Sequence, residues 1–401
     1  MSIPLFPLSL YIHIPFCTHR CAYCDFNTYA GQESLIPAYV DGLRREIEFA
    51  GSRFPFPVGR GVRDEGEVYT IFFGGGTPSL LSPKQFELIL RSIRDNFILT
   101  TDVEVTIEAN PGTVSYENLL ELRKIGINRI SYGVQSANAE ELRMLERAHD
   151  FFAVIEAVTS ARKAGFRNLN LDLIYGLPEQ TLATWQTTVK RILDLAPEHL
   201  SAYALTLEHG TPFGRWASKG ILPLPDPDLA ADMYEWLSEI LKENGYVQYE
   251  ISNWSKPGHQ CRHNLQYWRG LPYLAFGAGA HGYANGFRYS NVLRIKTYIE
   301  RITNYQFTDY GFPLSPATVN HHQQTLQDDM SEFMLTGLRL THEGISESIF
   351  QARFGQSMHE VYGREIEELL ELGLIENVER DEIRITQRGR LLGNQVFMRF
   401  V

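Results

Sequence analysis

The chain has 401 residues, of which 44% are hydrophobic and 21% charged, and its formal net charge is −11. This length supports a large buried core divided among two or three domains. The acidic balance argues against a general nucleic-acid binder, and no stretch approaches the roughly 20 apolar residues that span a bilayer. The four cysteines do not resemble a secreted disulfide framework, so we expect a cytoplasmic protein with reduced thiols.

Six β-rich runs alternate with helical patterns over residues 1–220. The runs are "LSLYIHIP", "VYTIFF", "VEVTIEA", "NRISYGVQ", "NLNLDLIYG" and "HLSAYAL". A helix start is marked by Ser82 as N-cap with Pro83 at the first helical position. Strands separated by helices pair in parallel through right-handed crossovers. The pattern therefore predicts an α/β fold, a partial (β/α)6 barrel, with its site at the C-terminal ends of the strands.

Residues 221–320 and 321–401 have different patterns. Prolines in "ILPLPDPD" interrupt the alternation, a helix is predicted over Asp228–Glu243, and we expect a connecting segment as far as residue 320. Residues 321–401 contain the helical patterns "MSEFMLTGLRL" and "GREIEELLELG" and the hairpin "LIENVERDEIRITQRG", an order that resembles a smaller winged-helix-like α+β domain. Its helices are acidic, the wrong sign for a groove-facing element, so we expect no nucleic-acid partner.

Three of the four cysteines lie in "CTHRCAYC", directly after the first strand. Cys17, Cys21 and Cys24 have C-x3-C-x2-C spacing, which allows three thiolates to converge on one metal centre. An iron–sulfur cube normally takes four cysteines, so three would leave one iron open to an exchangeable ligand. The alternative is a structural zinc ion, with His13 or His19 as its fourth ligand.

The cysteine loop resembles that of the radical S-adenosylmethionine superfamily, and the rest of the chain is most similar to its HemN-like branch and to the HemW heme chaperones within it. The resemblance implies a [4Fe-4S] cluster held by the three cysteines, with S-adenosylmethionine on the open iron as the source of a deoxyadenosyl radical. The turn "FFGGGTPS" matches the motif for the cofactor's methionine amino group, which implicates Gly75, Gly76 and Thr77. As glycines at a βα junction, they are also consistent with a simple tight turn.

Polar residues stand at or just beyond several strand ends. Each alone is consistent with a solvated loop residue or a helix cap, but together they would surround one mouth. Carboxylate and amide acceptors there suit ribose hydroxyls and a cationic sulfonium. By resemblance, the residues that contact S-adenosylmethionine are Tyr11, Glu108, Gln135, Arg147 and Asp172.

A further cluster is "CRHNLQYW". On a helix, His263 and Tyr267 share one face, and Asn264 and Trp268 form the adjacent pair. A buried aromatic patch with a hydrogen-bonded histidine is one interpretation. The segment also matches the H-N-x-x-Y-W motif that the resemblance associates with heme binding, and histidine is a common axial ligand of heme iron. Cys261 and His281, the latter in "GAGAHGY", are ambiguous: each is a potential heme contact or a structural residue.

Two functions fit these motifs. One is a heme chaperone that passes heme to an acceptor protein, for which a respiratory or membrane-associated protein is our expectation, with flavodoxin or ferredoxin as electron donor. The alternative is oxygen-independent coproporphyrinogen III dehydrogenase. In that enzyme the cysteine loop follows the pattern C-x3-C-x2-C-x-C, with a fourth cysteine, and an N-terminal extension precedes it. This chain has Phe26 at the position of the fourth cysteine, and its loop begins 16 residues from Met1. The differences favour the chaperone over an active oxidase.

Overall fold

The computed structural model describes residues 7–54, 66–305, 310–378 and 381–401. The strands described up to residue 204 are β1 (Leu8–Ile14), β2 (Phe16–Cys17), β3 (Tyr29–Ala30), β4 (Val68–Gly75), β5 (Leu99–Ala109), β6 (Arg129–Gln135), β7 (Leu169–Tyr175) and β8 (His199–Ala204). Strands β1 and β4 to β8 lie side by side and parallel in chain order, while β2 and β3 form a separate pair. The six predicted runs therefore form the predicted partial barrel.

Helices connect these strands on the outside of the sheet. They are α1 (Ile36–Gly51), α2 (Pro83–Asn96), α3 (Tyr116–Lys124), α4 (Ala139–Met144), α5 (Phe151–Lys163) and α6 (Leu182–Leu193), with 3-10 turns at Glu33–Leu35 and Pro78–Leu80. The predicted start of α2 is confirmed, since the Ser82 side chain accepts a bond from the Gln85 amide and Gln85 bonds back to the Ser82 amide. Such a capping box contributes about 1 kcal/mol.

The middle of the chain, predicted as a connecting segment, extends the barrel sheet at both edges. Its elements are α7 (Pro212–Ser218), α8 (Pro227–Glu243), β9 (Val247–Glu250), β10 (Asn253–Ser255), α9 (Arg262–Trp268), β11 (Tyr273–Phe276), β12 (His281–Ala284), β13 (Phe287–Asn291), α10 (Ile295–Asn304) and β14 (Thr318–Gln323). Strands β10 and β9 continue the sheet beyond β8. On the other side, β11 pairs in parallel with β1, and β12 to β14 follow as antiparallel strands. The described sheet therefore has 12 strands.

The C-terminal residues form a smaller unit with its own hydrophobic core. Its elements are α11 (Leu326–Gly337), β15 (Ile345–Ser346), α12 (Glu347–Phe354), α13 (Met358–Glu371), β16 (Ile375–Val378), β17 (Glu382–Ile385), α14 (Gln387–Leu391), α15 (Gly393–Phe397) and a 3-10 turn at Met398–Phe400. The antiparallel order β15-β17-β16 beside helices α11 to α13 gives the winged-helix-like arrangement that the sequence predicts. In the described ranges, no helix combines the length and apolar character needed to cross a membrane.

Polar side chains fill the interior of the barrel. Asn170 donates to the Asp172 carboxylate at 2.7 Å, and its amide oxygen lies 2.6 Å from His199 Nδ1. The other ring nitrogen of His199 lies 2.8 Å from the Tyr249 hydroxyl, whose oxygen accepts the backbone amide of Cys261 at the start of α9. A hydrogen-bonded path thus runs from the C-terminal ends of the strands down to α9, which closes the opposite end of the barrel.

Candidate functional site

A cavity of about 460 Å³ opens at the C-terminal ends of the barrel strands. This is the end of the barrel at which the strand order and loop lengths predict a site. The three clustered cysteines and seven of the eight residues predicted to contact S-adenosylmethionine line it. These are Cys17, Cys21, Cys24, Gly75, Gly76, Thr77, Glu108, Gln135, Arg147 and Asp172.

The cysteine loop presents its three thiols to the cavity, and each thiol has a polar neighbour. The Thr77 hydroxyl donates to Cys17 Sγ at 3.5 Å, Arg147 donates to Cys21 Sγ at 3.5 Å, and Cys24 Sγ lies 4.0 Å from the Thr28 hydroxyl. Burial raises the pKa of the Cys17 and Cys24 thiols. These two thiols therefore keep their protons at neutral pH until a metal displaces them.

The glycine turn packs directly against the start of the cysteine loop. The amide of Gly76 donates to the Ile14 carbonyl at 2.9 Å, and the amide of Thr77 donates to the Phe16 carbonyl at 2.7 Å. A Cβ on Gly76 would lie 2.6 Å from the Phe16 carbonyl oxygen, closer than real Cβ contacts occur. Gly75 has φ +115° and is packed against the His13 ring. The glycines are thus required by the fold of the site itself.

Two carboxylates lie at the barrel mouth, on β5 and β7, with Ser131 of β6 between them. Glu108 accepts the Gly75 amide at 3.0 Å, and Asp172 accepts the Ser131 hydroxyl at 3.0 Å. Burial, reinforced by the negative charge of Asp172, raises the pKa of Glu108 to about 7, and burial also raises the pKa of Asp172. An arriving cation would lower the cost of ionising this pair.

Gln135 and Arg147 complete the wall between β6 and the cysteine loop. Gln135 has φ +68° at a register shift in β6. Strained backbone conformations of this kind occur most often at functional sites. Arg147 donates to the Gly133 carbonyl at 2.6 Å as well as to Cys21 Sγ. One guanidinium thereby fixes the strand end and places a positive charge against a sulfur that is predicted to bind iron.

Tyr11 is the predicted cofactor contact that the structure places elsewhere. It lies in the middle of β1 and not at its end, with its hydroxyl 3.0 Å from His13 Nδ1 and its ring stacked on Phe72 below the cavity. Three residues that no sequence motif indicates also line the cavity: Asn110, Ser131 and Tyr203. Ser131 and Asp172 lie on adjacent strands, so alternation of side chains along each strand is the signal that would have found such residues.

The structure gives the zinc alternative little support. Both ring nitrogens of His13 are engaged, at 3.0 Å from the Tyr11 hydroxyl and 3.0 Å from the Asn27 carbonyl, and His19 pairs with Glu146 at 3.1 Å. Among the described residues, no group of three or more His, Cys, Asp and Glu side chains is arranged to hold a single metal ion. A cluster needs a wider spacing, because each thiolate binds a different iron.

The predicted heme segment forms the short helix α9 inside the barrel floor. His263 is 1% exposed, its Nδ1 lies 2.7 Å from the Thr70 hydroxyl, and its Nε2 lies 2.8 Å from the Tyr267 hydroxyl, which confirms the shared helix face. Burial lowers the pKa of His263 to about 3, so the ring is neutral. For His263 to bind iron, its bond to Tyr267 or to Thr70 must first open.

The neighbours of His263 on α9 face the C-terminal unit. The Trp268 ring lies 4.4 Å below the Arg339 guanidinium, and Asn264 is half-buried on the same side of α9. Cys261 is fully buried, its thiol donates to Glu104 at 3.7 Å, and burial raises its pKa to about 12. In this arrangement Cys261 is an inert buried thiol.

The partial barrel and its thiol-lined cavity define a radical S-adenosylmethionine protein. The family model described as "Radical SAM superfamily" matches residues 11–192, and the model described as "HemN C-terminal domain" matches residues 324–392. This superfamily carries a [4Fe-4S] cluster and S-adenosylmethionine, and the three thiols and the polar wall suit both.

Relatives that match over most of the chain identify a family within this superfamily. The chain is 38% identical to "Heme chaperone HemW" of Bacillus subtilis (strain 168), covering 98% of this chain and 99% of the relative. It is 41% identical to "Heme chaperone HemW" of Escherichia coli (strain K12), covering 70% and 71%. The solved structure of coproporphyrinogen III oxidase (HemN) from Escherichia coli matches with a TM-score of 0.81 and 26% identity, covering 99% and 90%. The chain belongs to the HemW heme chaperone family.

Proposed function

We propose that the protein binds heme and transfers it to an acceptor protein, using a radical S-adenosylmethionine scaffold as the frame. The observation that carries this proposal is the near full-length similarity to proteins named heme chaperones, 38% identical over 98% of the chain. A cluster requires its three thiols in reduced form, which supports a cytoplasmic location. The acceptor we propose is a respiratory or membrane-associated protein.

In this proposal Cys17, Cys21 and Cys24 hold the cluster. The cofactor lies in the cavity above, bound by Gly75, Gly76, Thr77, Glu108, Gln135, Arg147 and Asp172, with Tyr11 supporting the wall from below. The pair of carboxylates at the barrel mouth supports this assignment, because their charge and acceptor oxygens suit a sulfonium and ribose hydroxyls. Bound S-adenosylmethionine supplies redox chemistry at the cluster, and these residues orient it and exclude water.

The heme residues in this proposal are His263, Asn264, Tyr267 and Trp268. Their support is the aromatic surroundings of α9, where the His263 ring stacks on Phe72 at 5.0 Å and meets Tyr267 at 4.9 Å. Flat aromatic surroundings suit a macrocycle. Because His263 is buried and bonded through both nitrogens, this part of the proposal requires α9 to shift when heme binds.

We also propose that the electron donor, a flavodoxin or ferredoxin, docks beside the cysteine loop. Arg20 donates to the carbonyls of Cys24 and Phe26, and the positive charges of Arg20 and Arg294 both reach Tyr29. The side chain of Phe26, whose carbonyl accepts the Arg20 bond, is 67% exposed. Two arginines near an exposed aromatic side chain, in a chain whose net charge is −11, suit an acidic redox protein.

Coproporphyrinogen III dehydrogenase is the second candidate, because the HemN structure covers 99% of this chain. One preparation, reconstituted anaerobically, decides between the two. Heme binding and transfer to an apo-protein are measured beside coproporphyrinogen III turnover, and we expect transfer without vinyl products. Vinyl products would establish the dehydrogenase instead.

The cluster is tested with matched cysteine variants. Cys21→Ala is expected to lose the iron–sulfur absorption and iron content, because its thiol lines the cavity, whereas Cys261→Ala should retain both, because its thiol is buried against Glu104. An unchanged cluster signal in Cys21→Ala would contradict the assignment.

A further inference from the structure

A second cavity, of about 410 Å³, lies where the sheet continues outside the barrel. Strands β12, β13 and β14 place His281, Ser290 and Asn320 side by side in register. Because β11 pairs with β1, this face of the sheet continues the interior face of the barrel. The residues that line the cavity include Tyr273, His281, Arg288, Ser290, Asn320 and His322.

Three exposed histidines line this cavity: His281, His321 and His322. His322 pairs with Asp328 at 3.3 Å, and the strand register sets His321 on the opposite face of the sheet, so we consider His281 as the ligand. It is exposed, and within the described part of the chain its ring makes no hydrogen bond, whereas His263 is 1% exposed and bonded at both nitrogens. Iron needs a free imidazole nitrogen from its ligand. His281 can supply one without breaking an existing contact, and His263 cannot.

The turn that carries His281 is held rigidly by buried groups. The Gly277 amide donates to the Glu46 carboxylate at 2.9 Å, and the Ala278 amide donates to the Tyr39 hydroxyl at 2.8 Å. Asn27, three residues beyond the last cluster cysteine, donates to the Ala278 carbonyl at 3.0 Å. The turn is thereby tied both to the core and to the cysteine loop, and a ligand on such a fixed support is pre-organised.

The H-N-x-x-Y-W helix lies directly behind the same cavity. The ring of Tyr267 packs edge-on against Tyr273, with 4.5 Å between the centroids, and Tyr273 lines the cavity. Arg288 donates to the Tyr273 hydroxyl at 2.9 Å and is paired with Glu332, so it fixes the aromatic wall. Ser290, Asn320 and His322 offer hydrogen bonds at the open side, where the carboxylates of a porphyrin would meet solvent.

We propose that this cavity binds heme with the imidazole of His281 as axial ligand to the iron, while α9 supports the aromatic wall. The inference rests on the proposed heme-binding function and gives it a different ligand. It also gives α9 a role in heme binding although His263 has no free ring nitrogen. His263 is hydrogen-bonded to Tyr267, and the Tyr267 ring packs against Tyr273 in the cavity wall. Bound there, heme lies beside the turn that contacts the cysteine loop.

The test compares His281→Gly with the wild type and with His359→Ala, which removes an exposed histidine from α13 in the C-terminal unit. Each protein is titrated anaerobically with hemin and, separately, with metal-free protoporphyrin IX. For His281→Gly we expect hemin affinity to fall by about tenfold or more and the axial-imidazole absorption and resonance signature to disappear. Protoporphyrin affinity should stay within about twofold of wild type, because the wall is intact. Added imidazole should restore the signature in His281→Gly alone.

The outcomes separate this inference from the function on which it rests. If wild type binds hemin but His281→Gly binds it with the same affinity and signature, the ligand assignment is overturned and the heme chaperone proposal stands. Loss of the signature in His263→Ala, with His281→Gly unaffected, would also overturn it and would return the ligand to α9. If wild type binds no hemin, the proposed function itself fails.

Discussion

Glu108 provides the sharpest test of the electrostatics at the barrel mouth. Its folded pKa of about 7 lies above the ordinary value of 4.5, because burial and Asp172 disfavour its charge. Between these two pH values the folded chain keeps a proton that the unfolded chain has released, so the free energy of unfolding falls as pH rises through this window. The full difference corresponds to at most about 3 kcal/mol, since the cavity admits water to the carboxylate.

Glu108→Gln removes the ionisation and keeps the shape and the acceptor for the Gly75 amide. We therefore expect the variant to gain stability over wild type with rising pH, from about 1 kcal/mol at pH 5 to about 3 kcal/mol at pH 8. Urea unfolding of the cluster-free protein, followed by tryptophan fluorescence at several pH values, measures this difference. Other titrating groups cancel because both proteins share them.

Asp172→Asn is the companion variant. Removing that negative charge lowers the folded pKa of Glu108, so the loss of stability should still begin near pH 4.5 but should end at a lower pH and be smaller in total. An equal gain for Glu108→Gln at pH 5 and pH 8, or a variant less stable than wild type at pH 8, would contradict the raised pKa of Glu108.

Three further predictions concern the cysteine loop. Gly76→Ala should lower the free energy of unfolding by about 1–3 kcal/mol and reduce iron incorporation, because its Cβ meets the Phe16 carbonyl. The control Gly363→Ala, in α13 with open space around the new Cβ, should keep or raise the free energy of unfolding by up to about 1 kcal/mol and leave iron incorporation unchanged. Arg147→Lys should weaken S-adenosylmethionine binding in calorimetry by about tenfold, since lysine lacks the planar fork that reaches both Gly133 and Cys21, and unchanged affinity would contradict this role. Arg20→Glu should slow cluster reduction by flavodoxin in a salt-dependent way and leave reduction by dithionite unchanged; equal rates with flavodoxin at low salt would remove the proposed docking surface.

Local sequence patterns predicted the barrel and the placement of most of the site. Each run of β-branched and aromatic residues forms a barrel strand. A parallel strand that is buried on both faces has a nearly continuous apolar sequence, so it can be predicted without knowing its neighbours in the sheet. The residues at the ends of these strands then met at one mouth, as parallel strands require. Of the predicted cofactor contacts, Tyr11 alone is not at this mouth. It lies in the middle of β1, because β1 begins to pair with β4 at Leu8 and continues to Ile14.

The state of the heme-associated residues depends on contacts between distant segments. Helix α9 has the predicted face, but Thr70 and Glu104, on barrel strands more than 150 residues earlier, engage His263 and Cys261. Similarly, β11 to β14 join the sheet only because the edge of β1 is available to pair with β11. No periodicity within "GAGAHGY" indicates that its turn is anchored by Glu46.

The (β/α)6 order, the three-thiol loop and the glycine turn beside it are therefore local properties of the chain, because each depends on spacing within one strand and its following loop. The hydrogen bonding of His263 and His281, in contrast, depends on distant segments. Hydrogen bonds to Thr70 and Tyr267 occupy His263, whereas the sheet extension leaves the His281 ring exposed beside the barrel mouth. Whether an imidazole can bind iron depends on its remaining partners, and long-range packing sets those partners.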